Sequence, residues 1–282
     1  MIVVRSVKEL QDILKTETSV GLVPTMGNLH VGHLALMAEA KRHCKLLVAS
    51  IFVNRLQFGP NEDFDTYPRT LEEDCAKLKE QGVVDIVFAP SEAEMYPQKQ
   101  TYRIKPDSSM ADILEGFYRP GFFEGVCTVV GKLFSIVRPN VAVFGKKDYQ
   151  QLQIIRSMVR QFAMPIEIIG LELQRDSQSG LAFSSRNRYL STKELKKASE
   201  LYQTIQVVKK ALEAGNVNVD EIEKRACSLL TQQGWQTDYV SVVRQVDLLA
   251  PTESDLINKE PLVVLAAAKI GTTRLIDNCE VF

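Results

Sequence analysis

Short apolar runs, separated by segments of helical periodicity, recur through residues 1–173. The continuous apolar runs span residues 2–4, 20–23, 46–53, 83–89, 141–144 and 166–171. Such runs are typical of parallel strands that are covered on both faces of a sheet. Because helical segments lie between them, the pattern predicts an α/β fold built on a Rossmann-like, doubly wound parallel sheet.

The pattern changes after residue 173. Three strands, predicted at 239–246, 262–270 and 273–277, are mixed with helices in what we expect to be a smaller C-terminal α+β domain. We therefore place a first domain at residues 1–173 and a second at residues 174–282. No low-complexity linker separates them, which favours a packed interface with a cleft between the domains.

Polar residues before apolar stripes predict where several helices begin. Thr70 followed by Glu73 has the spacing of a capping box. Ser191 is predicted to start a helix that ends before Gly215, and Asp220 to cap the next helix. Residues 91–120 contain three prolines and are expected to form loops or a flap over a cleft.

The turn between the second apolar run and the following helix contains two of the three histidines in the chain. His30 and His33 lie three residues apart and therefore share one face of the first helical turn. Free backbone N–H groups at a helix start favour phosphate oxygens, and imidazole can donate to a phosphate in either protonation state. Gly32 leaves room for a ligand to approach the backbone. This turn therefore predicts a nucleotide site.

Composition narrows the classes of partner and environment. The formal net charge is −1 without a basic run, so nothing indicates nucleic acid as a partner. Five widely spaced cysteines indicate free thiols in a reducing cytosol. No apolar run has the length of a membrane span, and residues 1–20 lack a signal-peptide pattern. We expect a cytoplasmic protein without a membrane partner.

Cationic and hydroxyl side chains elsewhere suit a triphosphate. Lys147, Ser184, Ser185 and Arg186 lie beside predicted strand ends or glycines, and together they fit nucleotidyl transfer, in which catalysis is chiefly positioning and charge neutralisation. A Mg²⁺ ion would accompany the β- and γ-phosphates. Asp74 is a candidate to hold that ion through water, and a helix-surface carboxylate is the alternative interpretation. The G-x-G-x-x-G fingerprint of dinucleotide binding is missing, so hydride transfer has no support.

Five sequence blocks resemble those of the pantoate–β-alanine ligase family. They are P-T-M-G-N-L-H-V-G-H, S-I-F-V-N-R-L-Q-F-G-P-N-E-D, Y-P-R-T-L, G-K-K-D-Y-Q-Q and S-S-R-N, in the family's order over most of residues 20–190. The resemblance implies that ATP drives the condensation of (R)-pantoate with β-alanine to pantothenate, AMP and pyrophosphate through a pantoyl adenylate. It also implies a cytoplasmic homodimer, the fold of the H-x-G-H nucleotidyltransferases, and a C-terminal domain that closes over the site.

The resemblance further implies a role for individual residues of these blocks. His33, as proton donor, would act with His30, Lys147 and Arg186 in catalysis. Gln57 and Gln151 would bind pantoate, with Gln57 also near β-alanine. The residues that would bind ATP are Met26, Gly27, Asn28, Leu29, His30, Val31, Gly32, His33, Gly145, Lys146, Lys147, Asp148, Gln174, Phe183, Ser184, Ser185 and Arg186.

Three positions depart from the family pattern. Arg55 replaces a common proline and is expected to loosen its loop. Lys146 replaces a frequent glutamate and is expected to add positive charge beside the phosphates. Phe122 replaces a histidine, so a role of that histidine in substrate handling does not transfer to this chain.

Two other functions stay open from the residues alone. One is an H-x-G-H nucleotidyltransferase that stops at a nucleotidylated product, which would not release free AMP. The other is a catalytically silent nucleotide-binding regulator, which any turnover of ATP would exclude.

Overall fold

A six-stranded parallel sheet forms the centre of the larger part of the molecule. In the computed structural model, which describes residues 1–60 and 62–282, its strands are Ile2–Val4 (β1), Val20–Thr25 (β2), Leu46–Ile51 (β3), Ile86–Phe88 (β4), Val141–Gly145 (β5) and Glu167–Leu171 (β6). Their order is β1-β4-β3-β2-β5-β6, and every neighbouring pair is parallel. The predicted doubly wound sheet is confirmed. Its order reverses between β2 and β5, where open α/β sheets bind their ligands.

Helices cover both faces of this sheet, as its continuous apolar strands require. They are Val7–Leu14 (α1), Val31–Arg42 (α2), Leu71–Gln81 (α3), Glu92–Met95 (α4), Ser108–Ala111 (α5), Glu115–Tyr118 (α6), Phe122–Val137 (α7) and Tyr149–Gln161 (α8). Helices α1, α7 and α8 bury apolar side chains against one face, and α2 and α3 against the other. The segment expected to form loops contains α4, α5 and α6, each a single turn.

A second, antiparallel sheet organises the C-terminal part. Its strands Gln236–Arg244 (β7), Leu262–Ile270 (β8) and Thr273–Val281 (β9) lie in the order β7-β8-β9. The accompanying helices are Thr192–Lys197 (α9), Ser199–Glu213 (α10), Val219–Gln232 (α11) and Glu253–Ile257 (α12). This arrangement confirms the smaller α+β domain, while the division at residue 173 stays a prediction.

The central strand β8 is buried on both sides. Alternate residues from Leu262 to Ile270 pack against α10 and α11. The residues between them, Val263 and Leu265, pack with Tyr149 of α8. Because successive side chains of a strand point to opposite faces, β8 joins the core of its own domain to the first domain. The two parts therefore pack directly on each other.

Two helix boundaries differ from the sequence prediction. The helix expected from Ser191 is divided at Ala198, whose N–H is shared between two carbonyls of the preceding turn. The start of α11 is capped by Asn218, whose side chain accepts from the N–H of Glu221. Asp220, the predicted cap, lies inside the first turn. In both cases local hydrogen bonding, which the apolar pattern does not reveal, decided the boundary.

A polar cluster joins α6 to the second sheet. Arg274 of β9 donates to both carboxylate oxygens of Glu115 at 2.7 Å, and its Nε donates to Asp238 at 2.6 Å. The hydroxyl of Tyr239 also donates to Glu115, at 2.8 Å. Burial raises the pKa of Glu115, but the hydrogen bonds and charge of Arg274 outweigh it and lower that pKa overall. The pair therefore stays ionised across the domain interface.

Candidate active site

The turn after β2 brings both histidines to the start of α2. His30 is the N-cap, and its Nδ1 accepts from the N–H of Gly32 at 3.1 Å. The Nδ1 of His33 accepts from the N–H of His30 at 3.3 Å, and the two ring centres are 4.0 Å apart. A ring nitrogen that accepts from an N–H bears no proton. Each ring therefore has its proton on Nε2, where it can be donated in a hydrogen bond to a ligand.

Burial keeps both imidazoles neutral. It lowers the pKa of His30 to about 4, assisted by the positive charge of Lys147. Burial likewise lowers the pKa of His33 to about 3, with further contributions from His30 and Lys147. Near pH 7 neither ring is an imidazolium with a surplus proton to release. Each ring can therefore donate a hydrogen bond through Nε2–H, and the role of His33 as proton donor stays a prediction.

The histidines line a cavity of about 240 Å³ at the switch point of the sheet. Gln57 and Gln151 line the same cavity. The Oε1 atom of Gln57 accepts from Asn54 at 3.0 Å, and its amide nitrogen lies 3.2 Å from the sulfur of Met26. Apolar side chains of α7 and β5, with one from the residue that follows β3, complete this part of the wall: Phe52, Val126, Val129, Val130, Leu133 and Phe144.

The segment that connects the two domains forms another wall. Phe183 donates its N–H to the carbonyl of Gln174 at 3.0 Å, which folds residues 174–183 back on themselves. The hydroxyl of Ser185 then lies 3.4 Å from the carbonyl oxygen of Asn28 in the histidine turn. Arg186 follows directly and lines the cavity as well. Side chains more than 150 positions apart in the sequence thus meet at one site.

A second cavity, of about 550 Å³, adjoins the first and extends toward β9. Lys147, Gln151, Ser184 and Arg186 line both cavities. His30 and His33 do not line this larger cavity, so the larger volume does not identify the site of the reaction. The predicted phosphate-binding cations lie where the two spaces join.

Most of the predicted site residues line the 240 Å³ cavity. These are Met26, His30, Gly32, His33, Gln57, Gly145, Lys147, Asp148, Gln151, Gln174, Phe183, Ser184, Ser185 and Arg186. Four residues of the histidine turn lie outside the wall. Leu29 is packed in the core, Val31 is 55% exposed, and Gly27 and Asn28 have the positive φ angles that form the turn. These four shape the site but present no side chain to the cavity.

Lys146 also lies outside the cavity, which contradicts the expectation that its charge adds to the phosphate site. Its ammonium group pairs with Glu172 and, at 2.7 Å, with Glu280 of β9. Residues 146–148 form a 3-10 turn, in which successive side chains point about 120° apart. Lys147 consequently faces the cavity while Lys146 faces the domain interface.

Arg55 contacts residues outside its own turn, and the expected loosening of its loop stays a prediction. Its guanidinium lies 3.9 Å from the centre of the Phe64 ring, and its Nε donates to Glu92 at 3.1 Å.

Arg119 is a site residue that the sequence interpretation missed. It donates to both oxygens of Glu62 at 2.6 Å and to the carbonyl of Gln57 at 3.3 Å. Its guanidinium lies 3.7 Å from the centre of the Phe122 ring, and both residues line the cavity. Phe122 thus supports an arginine that steadies the backbone of Gln57. Only the proximity of Arg119 to the departing position Phe122 could have drawn attention to it.

Asp74 has a structural role and is neither a surface carboxylate nor an available metal ligand. It is fully buried, and its two oxygens accept from the backbone N–H groups of Asn28 and Leu29 at 2.8 and 2.7 Å. Thr70, expected to cap α3, donates its hydroxyl to Asp74 at 3.1 Å and makes no cap with Glu73. Within residues 1–60 and 62–282, no cluster of three or more histidine, cysteine, aspartate or glutamate side chains could hold a metal. Asp74 instead fixes the histidine turn.

Replacing Asp74 with alanine should lower the free energy of unfolding by about 2–4 kcal/mol, since two buried N–H groups lose their acceptor. Urea denaturation measures this change. Glu73→Ala is the matched control, because Glu73 is exposed on the same helical turn and its loss should change stability by less than about 0.5 kcal/mol. Unchanged stability together with a higher Mg²⁺ requirement would restore the metal-binding interpretation.

No helix in the described parts of the chain combines the length and apolar character needed to cross a bilayer.

Comparisons with known proteins give the same family, and each match extends over nearly the whole chain. The sequence profile of the family described as Pantoate-beta-alanine ligase matches residues 2–280. A solved pantothenate synthetase from Thermus thermophilus is 42% identical, with a TM-score of 0.92 and complete coverage of both chains. A pantoate-beta-alanine ligase from Francisella tularensis, solved in complex with βγ ATP and β-alanine, is 35% identical with a TM-score of 0.80. That match covers 99% of this chain and 97% of the other.

Proposed function

This chain belongs to the pantoate–β-alanine ligase family, and from that premise we propose how its cavity carries out the reaction. The protein is an ATP-dependent ligase that condenses (R)-pantoate with β-alanine and releases AMP and pyrophosphate. The observation that carries our assignment is the convergence of two neutral imidazoles, two cations and two amides on one cavity.

We place the phosphates of ATP between the histidine turn and the cations of the opposite walls. Nε2–H groups of His30 and His33 would donate to phosphate oxygens, and Lys147 and Arg186 would neutralise their charge. Arg186 lies 3.7 Å from Asp63, so its guanidinium is free to rearrange toward a stronger anion. Such preorganised donors stabilise charge that develops as pyrophosphate leaves.

We place pantoate between the two glutamines. Neutral amides can donate to a carboxylate and exchange hydrogen bonds with hydroxyls without adding charge to the nucleophile. Gln57 is already oriented by Asn54, and its backbone carbonyl is held by Arg119. The apolar wall of α7 and β5 suits the two methyl groups on the pantoate chain.

The reaction would proceed in two displacements. A pantoate carboxylate oxygen attacks the α-phosphorus and pyrophosphate leaves, which gives pantoyl adenylate. The neutral amine of β-alanine then attacks the acyl carbon, AMP leaves and the amide nitrogen loses a proton. Enclosure by the Phe183–Arg186 wall would protect the mixed anhydride from water between the two steps. The family resemblance implies that Gln57 would also contact β-alanine.

We propose that the nucleotide enters as MgATP, with Mg²⁺ held by phosphate oxygens and water, as Mg²⁺ prefers. A homodimer and a cytoplasmic location are proposed from the family resemblance. All five cysteines are free, which supports a reducing compartment.

Exchange of labelled pyrophosphate into ATP tests the order of steps. We expect exchange that requires pantoate and proceeds without β-alanine, because the adenylate forms before the amine reacts. Addition of β-alanine should then release free AMP in step with pantothenate. Exchange that needs β-alanine would contradict the two-step scheme, and a nucleotidylated end product without AMP would indicate the alternative transferase.

A further inference from the structure

A residue near the C-terminal end of the sequence holds the backbone turn that contains Lys147. Asn278 of β9 donates its side-chain amide to the carbonyl oxygens of Lys146 at 2.8 Å and Lys147 at 3.0 Å. Asn278 is only 3% exposed, and it pairs with Leu265 in the register of the second sheet. Both hydrogens of its amide are therefore directed at the turn that presents Lys147 to the cavity.

The neighbouring residue of β9 holds the connecting segment. Asp277 is 5% exposed and binds Arg175 through two hydrogen bonds, at 2.7 and 2.8 Å. Arg175 also donates to the carbonyl of Asn278 at 2.9 Å and lies 3.8 Å from the centre of the Tyr202 ring. Across the same hairpin, Arg175 bridges to Ala182, directly before Phe183.

Two adjacent residues of one strand thus anchor two arms of the site. Asn278 holds the turn of Lys147, and Asp277, through Arg175, holds the hairpin that leads to Arg186. Lys147 belongs to the first domain and Arg186 to the segment that joins it to the second. Their separation across the phosphate position therefore depends on where β9 lies.

We propose that Asn278 is a positioning residue for Lys147, so that docking of the second sheet completes the phosphate-binding site. The proposal deepens the proposed function and depends on it. A side-chain amide is suited to this task because it offers two donors in a fixed plane to two consecutive carbonyls. Displacement of a catalytic group by about 1 Å can cost on the order of 100-fold in rate.

A double-mutant cycle on ATP affinity tests the proposal. Isothermal titration with ATP would be run on the wild-type protein, Asn278→Ala, Lys147→Ala and the double variant. We expect Asn278→Ala to weaken ATP binding roughly tenfold in the wild-type background and hardly at all in the Lys147→Ala background, since residues that act through one contact are not additive. Pyrophosphate exchange should show the larger share of the loss in KM for ATP, with KM for pantoate unchanged.

Asn258→Ala is the matched control, because Asn258 is exposed at the C-terminal end of α12 and its side chain donates to the hydroxyl of Ser254, far from the turn of Lys147 in the sequence. It should leave ATP affinity unchanged. If Asn278→Ala weakens binding equally in both backgrounds, or not at all, the proposal is wrong. Loss of binding in Lys147→Ala is the separate test of the proposed site: wild-type affinity there would refute the placement of the phosphates themselves.

Thermal unfolding separates positioning from folding. Should Asn278→Ala fail to fold, Asn278→Thr takes its place in the cycle, because threonine keeps a polar branched side chain that strands favour. Failure of both variants to fold would assign the amide to stability alone and would overturn the proposal.

Discussion

Replacement of His33 by alanine is expected to reduce the rate of pantoate-dependent pyrophosphate exchange by roughly 100- to 1,000-fold, the usual effect of removing one preorganised donor. The reason is geometric. The Nδ1 of His33 is occupied by the N–H of His30, so its Nε2–H is fixed in direction and enclosed in the cavity. Steady-state exchange, with circular dichroism to confirm folding, measures the effect.

His43→Ala is the matched control, because the third histidine of the chain follows α2 and pairs with Glu39 on the surface. Its loss should leave exchange unchanged. Near-normal exchange by the folded His33→Ala protein would remove His33 from the mechanism.

The same histidines give the exchange reaction a distinctive pH dependence. Because their pKa values are about 4 and 3, both rings stay neutral throughout the neutral range, and neither should produce a step in rate near pH 6.5. The same two pKa values make the free energy of unfolding depend on pH. In the unfolded chain the rings take up protons near pH 6.5, but in the folded chain only near pH 4 and pH 3. The stability that the neutral rings contribute is therefore full above pH 6.5 and is lost progressively as the pH falls toward 3.

Replacement of Lys147 by alanine is expected to lower kcat/KM for ATP roughly 10- to 100-fold, because a phosphate-facing cation is removed from an enclosed site. Lys147 lines both cavities where they join, and it makes no ion pair with any carboxylate in the described part of the chain. Its ammonium group is therefore available to the nucleotide. Exchange kinetics at varied ATP and saturating pantoate measure the change.

The chain supplies its own control for this variant. Lys146→Ala removes the same charge one position earlier, but from the pair with Glu172 and Glu280 at the domain interface. We expect less than about a threefold change in kcat/KM for ATP, because the Lys146 side chain lies outside the cavity and the substitution keeps the backbone carbonyls through which Asn278 holds the turn. Equal losses in the two variants would show that net charge, and not the placement of Lys147, determines ATP binding.

Local chemistry made much of the fold and site predictable. The apolar runs indicated all six parallel strands, because a strand buried on both faces must be apolar throughout. The histidine turn was recognisable because His30 and His33 lie within one helical turn. The backbone N–H groups that orient the two rings belong to the same short stretch of sequence. Ser184, Ser185 and Arg186 were candidates from their hydroxyl and cationic side chains, whereas Gln151 and Phe183 were located only through the family resemblance. All five line the cavity.

The errors have one cause. Lys146 and Lys147 are adjacent residues of the same type, so the sequence does not distinguish their directions. The 3-10 turn and the position of Glu280 decide which of them faces the cavity. Asp74 had the pattern of an exposed helical carboxylate, yet the histidine turn folds over it and consumes both oxygens. Each outcome depends on a partner far away along the chain.

Sequence alone determined the six parallel strands, the doubly wound class of the first domain and the family, because periodicity and contiguous motifs are properties of neighbouring residues. Tertiary structure alone decided the neutral state of the histidines, the support of Gln57 by Arg119 and the hold of Asn278 on the Lys147 turn. Burial and hydrogen bonds between distant segments exist only once the domains have packed. The charge state and the direction of each catalytic side chain follow from that packing.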